Sequence, residues 1–151
     1  ALGPAMDIIE FRTDHADSGP VAEILINSVL LSKLAGDYEL PRYKLDSGYL
    51  GLPLSDVTAP SKHFLGHPHS HYIYDERVQV LGCGCGEPGC WPLVCRIDLG
   101  ADLVTWYDFL QPFRDTDSAG GHWSYDGFGP FVFARRQYES ALMALGSSGG
   151  A

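Results

Sequence analysis

The sequence predicts an α+β fold, in which an antiparallel β-sheet packs with a C-terminal helix and long irregular loops. Two observations predict the sheet: residues 77–110 contain three β-rich segments separated by turns, and residues 7–27 contain two more. A third observation predicts the helix, because the segment RRQYESALMALG has apolar residues at helical spacing. The sheet is therefore expected to comprise an N-terminal hairpin and a central meander.

The N-terminal hairpin is predicted from two segments rich in β-forming residues, Asp7–Thr13 and Val21–Asn27, with the turn sequence DHADSGP between them. A leucine-rich stretch at residues 30–34 then predicts a short helix that ends at Gly36. From residue 37 to residue 75 proline and glycine recur and periodicity is poor. This part is predicted to be a long, mostly irregular segment, with unrecognised short strands as the alternative.

The central meander is predicted from the segments RVQVL, PLVCRIDL and LVTWYDFL, with GAD as the turn between the last two. The second segment alternates, so that four side chains share one face: Leu93, Cys95, Ile97 and Leu99. The segment PFVF is a candidate for one more strand, and the C-terminal helix is expected to end at Gly146. One apolar stripe of that helix consists of Tyr138, Ala141, Leu142 and Leu145.

The length and the net charge limit the classes of protein to which this chain can belong. The 151 residues are enough for one domain with a hydrophobic core. We expect residues 6–146 to form that domain, residues 1–5 to be an addition ahead of Met6, and residues 147–151 to be a flexible tail. The net charge of −9 argues against nucleic acid or a membrane surface as a partner. Clustered cysteines favour a reducing compartment, so a cytoplasmic location is predicted.

The clearest chemical feature is the stretch LGCGCGEPGCWPL, which contains three of the chain's four cysteines. Cys83, Cys85 and Cys90 are expected to converge in one turn, because the intervening glycines permit a sharp bend. Three thiolates favour zinc as the metal and cofactor. The pattern leaves two alternatives open: structural free thiols, or a disulfide such as Cys83–Cys90 and redox chemistry.

Two resemblances follow from this stretch. The spacing of Cys83, Cys85 and Cys90 resembles the post-SET zinc motif of protein lysine methyltransferases, in which a fourth cysteine comes from elsewhere. That resemblance covers about ten residues and implies zinc binding, without a methyltransferase body. The fuller stretch, together with TWYDFLQPFR and GPFVFARRQYESAL, resembles small uncharacterised bacterial proteins with a GCxCGExGCWPL-type motif. This second resemblance implies a shared fold without an activity.

A fourth zinc ligand is expected from Cys95, from the histidine-rich segment HFLGHPHSHY or from water. That segment contains His63, His67, His69 and His71. Cys95 lies on the apolar face of its predicted strand, which favours a core position over a ligand. The histidine-rich segment also fits an exposed loop. Glu87, inside the cysteine turn, is expected to accept backbone hydrogen bonds that hold the turn, with a role as a base as the alternative.

A second candidate site is the segment GGHWSYDGFG, which contains His122, Trp123, Tyr125 and Asp126. A histidine and an aspartate beside aromatic rings predict a ligand-binding cleft, or part of a Cys-His-Asp arrangement with Cys90. The alternative, which we favour, is an aromatic loop that packs over the sheet.

The function predicted from these features is that of a non-catalytic cytosolic protein that binds a partner protein or a small ligand. The cysteine turn would then be a structural staple or a zinc knuckle. The alternative is a thiol-based enzyme or redox protein that uses Cys83, Cys85 or Cys90. A reactive thiol needs a pKa lowered by nearby positive charge or a helix N-terminus, and the turn connects two strands, which argues against the enzyme.

Overall fold

The computed structural model describes residues 6–85, 88–114 and 122–149, without the side chains of residues 88 and 146–149. Within these ranges the strands are β1 (Ile9–Ala16), β2 (Gly19–Ile26), β3 (Val29–Leu30), β4 (Tyr49–Leu50), β5 (Leu52–Pro53), β6 (Ile73–Tyr74), β7 (Arg77–Cys83), β8 (Leu93–Leu99), β9 (Leu103–Leu110) and β10 (Phe131–Ala134). The α-helices are α1 (Leu31–Tyr43), α2 (Leu54–Val57) and α3 (Arg135–Gly149). Short 3₁₀ turns lie at His63–Leu65, Ser70–Tyr72, Pro88–Cys90 and Pro112–Arg114.

Two antiparallel sheets organise the chain. The first has the order β1-β2-β3, with β5 also paired to β2, and the second has the order β10-β9-β8-β7-β4, with β6 also paired to β7. A core of apolar and aromatic side chains connects the sheets with the helices. The predicted α+β class, with an antiparallel sheet and a C-terminal helix, is confirmed.

The N-terminal hairpin is confirmed, although its strands are longer than predicted. β1 and β2 pair in continuous register from Ile9 opposite Ile26 to Ala16 opposite Gly19. The first three residues of the predicted turn DHADSGP therefore belong to β1. Gly19 has a φ of 124°, a conformation that glycine adopts without a Cβ penalty, so the chain can reverse within a very short turn.

The predicted end of the first helix at Gly36 is wrong, because α1 continues to Tyr43. Gly36 is buried, and a Cβ at that position would lie 2.7 Å from the Asp46 carboxylate. The glycine thus permits a close approach inside the helix instead of ending it. The helix ends where Lys44 takes the left-handed conformation, with a φ of 61°. The following segment to residue 75 contains short paired strands, which agree with the alternative, and the short helix α2, which neither prediction included.

The predicted central meander is confirmed as β7, β8 and β9. Its register shifts between Val94 and Arg96, so that β9 bulges opposite β8. Asp108 lies in this bulge with a φ of 58°. Its carboxylate accepts hydrogen bonds from Arg77 at 2.7 Å and from Arg96 at 2.9 Å, and the Arg96 bond holds the pKa of Asp108 below its usual value. One side chain thus connects three neighbouring strands.

Helix α3 packs its predicted stripe on the core. Tyr138 and Leu145 are fully buried, whereas Leu142 is half-buried. The Trp106 indole donates a hydrogen bond of 3.2 Å to the Tyr138 hydroxyl, which donates in turn to the Phe64 carbonyl. The helix continues past the predicted end to Gly149. Among the described residues, none of the helices has the length and apolarity needed to cross a membrane.

Candidate metal centre

The three clustered cysteines converge at the connection between β7 and β8, as predicted. β7 ends at Cys83, and the 3₁₀ turn that precedes β8 ends at Cys90. The Sγ atoms of Cys83, Cys85 and Cys90 all lie within 4.8 Å of one another. Cys83 is half-buried and the other two are exposed, and none of the three forms a disulfide. The arrangement is a group of three thiols that could hold a metal ion.

Glycine and a sulfur-accepting hydrogen bond shape this turn. A Cβ at Gly84 would lie 2.4 Å from the Gly48 carbonyl oxygen, a distance that no side chain can occupy. Only glycine therefore lets the turn pass so close to the segment that precedes β4. The Cys85 amide donates a hydrogen bond of 3.3 Å to the Cys83 Sγ, which fixes the first two cysteines relative to each other.

The electrostatic environment keeps Cys83 protonated in the absence of a metal. Burial, together with the neighbouring side chains of Cys85 and Cys90, raises the pKa of its thiol to about 11, although the hydrogen bond from the Cys85 amide acts in the opposite direction. A nucleophilic cysteine needs the opposite shift. A bound cation would deprotonate the thiol directly, because a metal's own charge dominates such a site.

Within the described parts of the chain, no fourth histidine, cysteine or carboxylate joins the three sulfurs. Cys95, one of the predicted sources, is fully buried in β8, as its apolar face indicated. His63 is also fully buried, and its Nε2 lies 2.6 Å from the Gln79 carbonyl oxygen, to which it donates. Burial lowers the pKa of His63 to about 4, so the ring is neutral. Neither Cys95 nor His63 therefore supplies the fourth ligand. Of the predicted sources, the other histidines and water are left.

The remaining histidines lie in the histidine-rich segment, outside the cysteine group. The rings of His69 and His71 stack with their centroids 5.8 Å apart, at the 3₁₀ turn Ser70–Tyr72. His71 also contacts the ring of Tyr72, at a centroid distance of 4.2 Å. Tyr72 donates a hydrogen bond of 2.5 Å to Asp56, which fixes the loop to α2.

An aromatic cluster lies directly beside the cysteine turn. Trp91, the residue after Cys90, has its ring 6.3 Å from that of Trp123 in an edge-to-face arrangement. The guanidinium carbon of Arg114 lies 4.8 Å from the Trp91 ring centroid and 4.7 Å from that of Trp123. Such cation–π contacts hold an arginine between two aromatic faces. The cluster thereby connects the cysteine turn to the segment that starts at residue 122.

The four residues of the second candidate site divide into two pairs. Trp123 and Tyr125 are buried, whereas His122 and Asp126 are exposed. Trp123 stacks on Tyr43 of α1, with ring centroids 4.7 Å apart. Trp123 and Tyr125 thus pack in the core, as the favoured alternative expects of an aromatic loop, although Trp123 packs on α1 and not over the sheet. Ligand binding by these residues stays a prediction, and Glu87 lies outside the described residues.

The sequence does not predict the buried carboxyl group of Glu39. Its side chain is fully buried and accepts hydrogen bonds from the Ser47 amide at 2.9 Å, from the Ser47 hydroxyl at 3.0 Å and from the Tyr125 hydroxyl. The Tyr125 hydroxyl lies 3.0 Å from that of Tyr49. Burial raises the pKa of Glu39 above its ordinary value. A glutamate in a helix is ordinarily exposed, so nothing in the local sequence indicates this network.

No protein-family model, curated protein or solved structure matches the chain. The resemblances to the post-SET zinc motif and to the small bacterial proteins stay predictions that depend on the motif around Cys83, Cys85 and Cys90.

Proposed function

We propose that Cys83, Cys85 and Cys90 bind one zinc ion, which acts as a structural knuckle in a non-catalytic protein that binds a partner. The observation that carries the proposal is the distance of at most 4.8 Å between any two of the three sulfurs. Zinc–sulfur bonds of about 2.3 Å in a tetrahedron correspond to sulfur–sulfur distances of about 3.8 Å. The sulfurs would have to approach one another by no more than about 1 Å.

Zinc fits this ligand set because thiolates are soft ligands and because the metal needs no particular geometry from its d electrons. Three protein ligands leave one position of the zinc tetrahedron, which a structural site completes with a fourth ligand. A structural role is supported by the position of the cluster, which lies in the connection between β7 and β8. The thiol-enzyme alternative would need a thiol that ionises near neutral pH, and the surroundings of Cys83 favour its neutral form.

The partner-binding role is supported by the residues that the knuckle holds in place. Trp91 follows Cys90 directly and packs on Arg114, and tryptophan and arginine are enriched at the energetic centres of interfaces. Phe113, next to Arg114, is 41% exposed. Zinc would fix the position of Trp91 and, through it, the neighbouring surface.

The zinc proposal is tested by metal content and thiol titration on freshly purified, reduced protein. We expect one zinc ion per chain, and we expect the thiols of Cys83, Cys85 and Cys90 to become reactive only after a chelator removes the ion. Cys85→Ser should lose the metal and lower the melting temperature. Cys95→Ala is the matched control, because it removes a thiol outside the cluster and should leave the metal content unchanged.

A wild-type protein with far less than one zinc ion per chain and with freely titrating thiols would contradict the proposal. The partner role has a separate test, in which a photoreactive phenylalanine replaces Phe113 in cells that produce the protein. The role is supported if the photoreactive variant crosslinks a partner when its cysteines are intact and loses that crosslink when it also carries Cys85→Ser. Equal crosslinking in both backgrounds contradicts a link between the knuckle and the partner.

A further inference from the structure

A groove of about 440 Å³ lies between α3 and the segment that follows α2. Its walls include Val57, Phe64 and Leu65 on one side and Leu142 and Leu145 on the other. It shares none of these residues with the cysteine cluster. The volume falls within the range of about 300–1,000 Å³ that is typical of small-molecule sites.

The lining is apolar, and its hydroxyl groups are already engaged. The Thr58 hydroxyl donates a hydrogen bond of 3.0 Å to the Leu54 carbonyl, and the Ser61 hydroxyl oxygen accepts one of 3.3 Å from the His63 amide. A ligand rich in polar groups would find few partners in such a groove. A ligand with an aliphatic chain would replace water on the apolar walls, and this replacement is favourable.

One cation, Lys62, belongs to the residues that line the groove, and none of them is acidic. Its backbone is fixed, because its carbonyl accepts hydrogen bonds from the amides of Leu65 and His67, both at 3.0 Å. Its side chain is exposed. A lysine beside an apolar groove complements a ligand that combines an aliphatic chain with a negative head group.

We propose that this groove binds a free fatty acid, with the chain against the accessible side chains of Leu65, Leu142 and Met143 and the carboxylate at Lys62. The apolar walls select the chain, and the lysine selects the charge of the head group. Since the protein as a whole carries a net charge of −9, its overall electrostatic field does not attract an anion. Binding of a carboxylate should therefore depend on this one local cation.

The test is a titration of the purified protein with hexanoate, octanoate and decanoate, followed by amide chemical shifts in nuclear magnetic resonance spectra. We expect shifts at groove residues such as Val57, Leu65 and Leu142, with affinity that rises roughly fourfold for each added methylene. Decanol, which has the same chain without the charge, should bind more weakly. Shifts that appear elsewhere, or decanol that binds as tightly as decanoate, would overturn the proposal.

Variants separate the two parts of the proposal. Lys62→Met should weaken decanoate about two- to fivefold, the range of an exposed ion pair, and should leave decanol unaffected. Lys33→Met removes the same charge on α1 and serves as its control. Met143→Glu places a carboxylate at the 73%-exposed residue of the lining and should weaken decanoate more than decanol, because both lose apolar wall but only decanoate is repelled by the new charge. Ala144→Glu adds that charge on another face of α3, and an equal effect of both would contradict the site.

Discussion

Tyr49 lies directly opposite Cys83 in the antiparallel ladder between β4 and β7. Paired residues of an antiparallel ladder project to the same face of the sheet. The Tyr49 hydroxyl also contacts the hydroxyl of Tyr125, which donates a hydrogen bond to the buried Glu39. The first sulfur of the candidate metal centre is therefore one residue pair away from a buried polar network that involves α1.

Tyr125→Phe should destabilise the protein by about 1–3 kcal/mol, because the buried Glu39 carboxyl group loses a hydrogen-bond donor. Urea unfolding monitored by circular dichroism measures the change. Tyr107→Phe is the control, since Tyr107 is 40% exposed and its hydroxyl is accessible to solvent. Equal losses in the two variants would show that the network contributes nothing specific.

Gly84→Ala should disrupt the cysteine turn, because the new Cβ would lie 2.4 Å from the Gly48 carbonyl oxygen. Displacement of the backbone should cost about 1–3 kcal/mol and reduce zinc content together with stability. Gly89→Ala offers a control in the same turn, as its Cβ would have the Tyr74 hydroxyl at an ordinary 3.6 Å. If both variants retain zinc equally, the close approach at Gly84 does not determine the geometry of the sulfurs.

His63 should make stability depend on pH. Its pKa is about 4 in the folded protein and 6.5 when unperturbed, so between these values the unfolded chain binds more protons. The neutral His63 ring makes its full contribution to the free energy of unfolding above about pH 6.5. This contribution disappears as the pH falls towards 4, and the free energy of unfolding then decreases by up to about 3 kcal/mol.

Buried glutamates act in the opposite direction. Burial raises the pKa values of Glu23 and Glu39, so their contributions are present below the unperturbed value of 4.5 and disappear as the pH rises through the folded values. A comparison of His63→Gln with wild type, both with chelator present, isolates the histidine. The variant should lose less stability between pH 6.5 and 4, whereas the exposed His15→Gln should behave as wild type. Identical slopes in all three proteins would contradict the assignment.

Two leucines of α3 should differ in their effect on stability. Leu145 is 1% exposed, so Leu145→Ala should cost about 2–5 kcal/mol, the usual range for a core leucine. Leu142 is half-buried at the groove, so Leu142→Ala should cost clearly less. Urea unfolding of both variants measures the difference. A larger loss for Leu142 would mean that the groove is closed in solution.

The sequence predicts the elements whose signals are local. The β8–β9 hairpin follows from alternation and from the GAD turn, and the convergence of Cys83, Cys85 and Cys90 follows from their spacing and from the glycines between them. These predictions needed no knowledge of distant parts of the chain.

Features that depend on distant residues could not be predicted. Gly36 does not mark a helix end, because the glycine is needed there for another reason: the Asp46 carboxylate occupies the space that a side chain would need. Glu39 is buried because the Tyr125 hydroxyl reaches it from a segment 86 residues away in sequence. Trp123 is buried because it stacks on Tyr43. None of these contacts leaves a local pattern.

The hydrogen bonds of Asp108 with Arg77 and Arg96 influence which parts of the domain unfold together. Asp108 connects β7, β8 and β9 through side-chain hydrogen bonds that involve no cysteine. These bonds add to the backbone hydrogen bonds between the paired strands. The turn at Cys83–Cys90 and the three strands should therefore be separate cooperative units. In hydrogen–deuterium exchange, zinc removal should accelerate exchange of the Cys85 amide by orders of magnitude and leave amides in the middle of β8 protected.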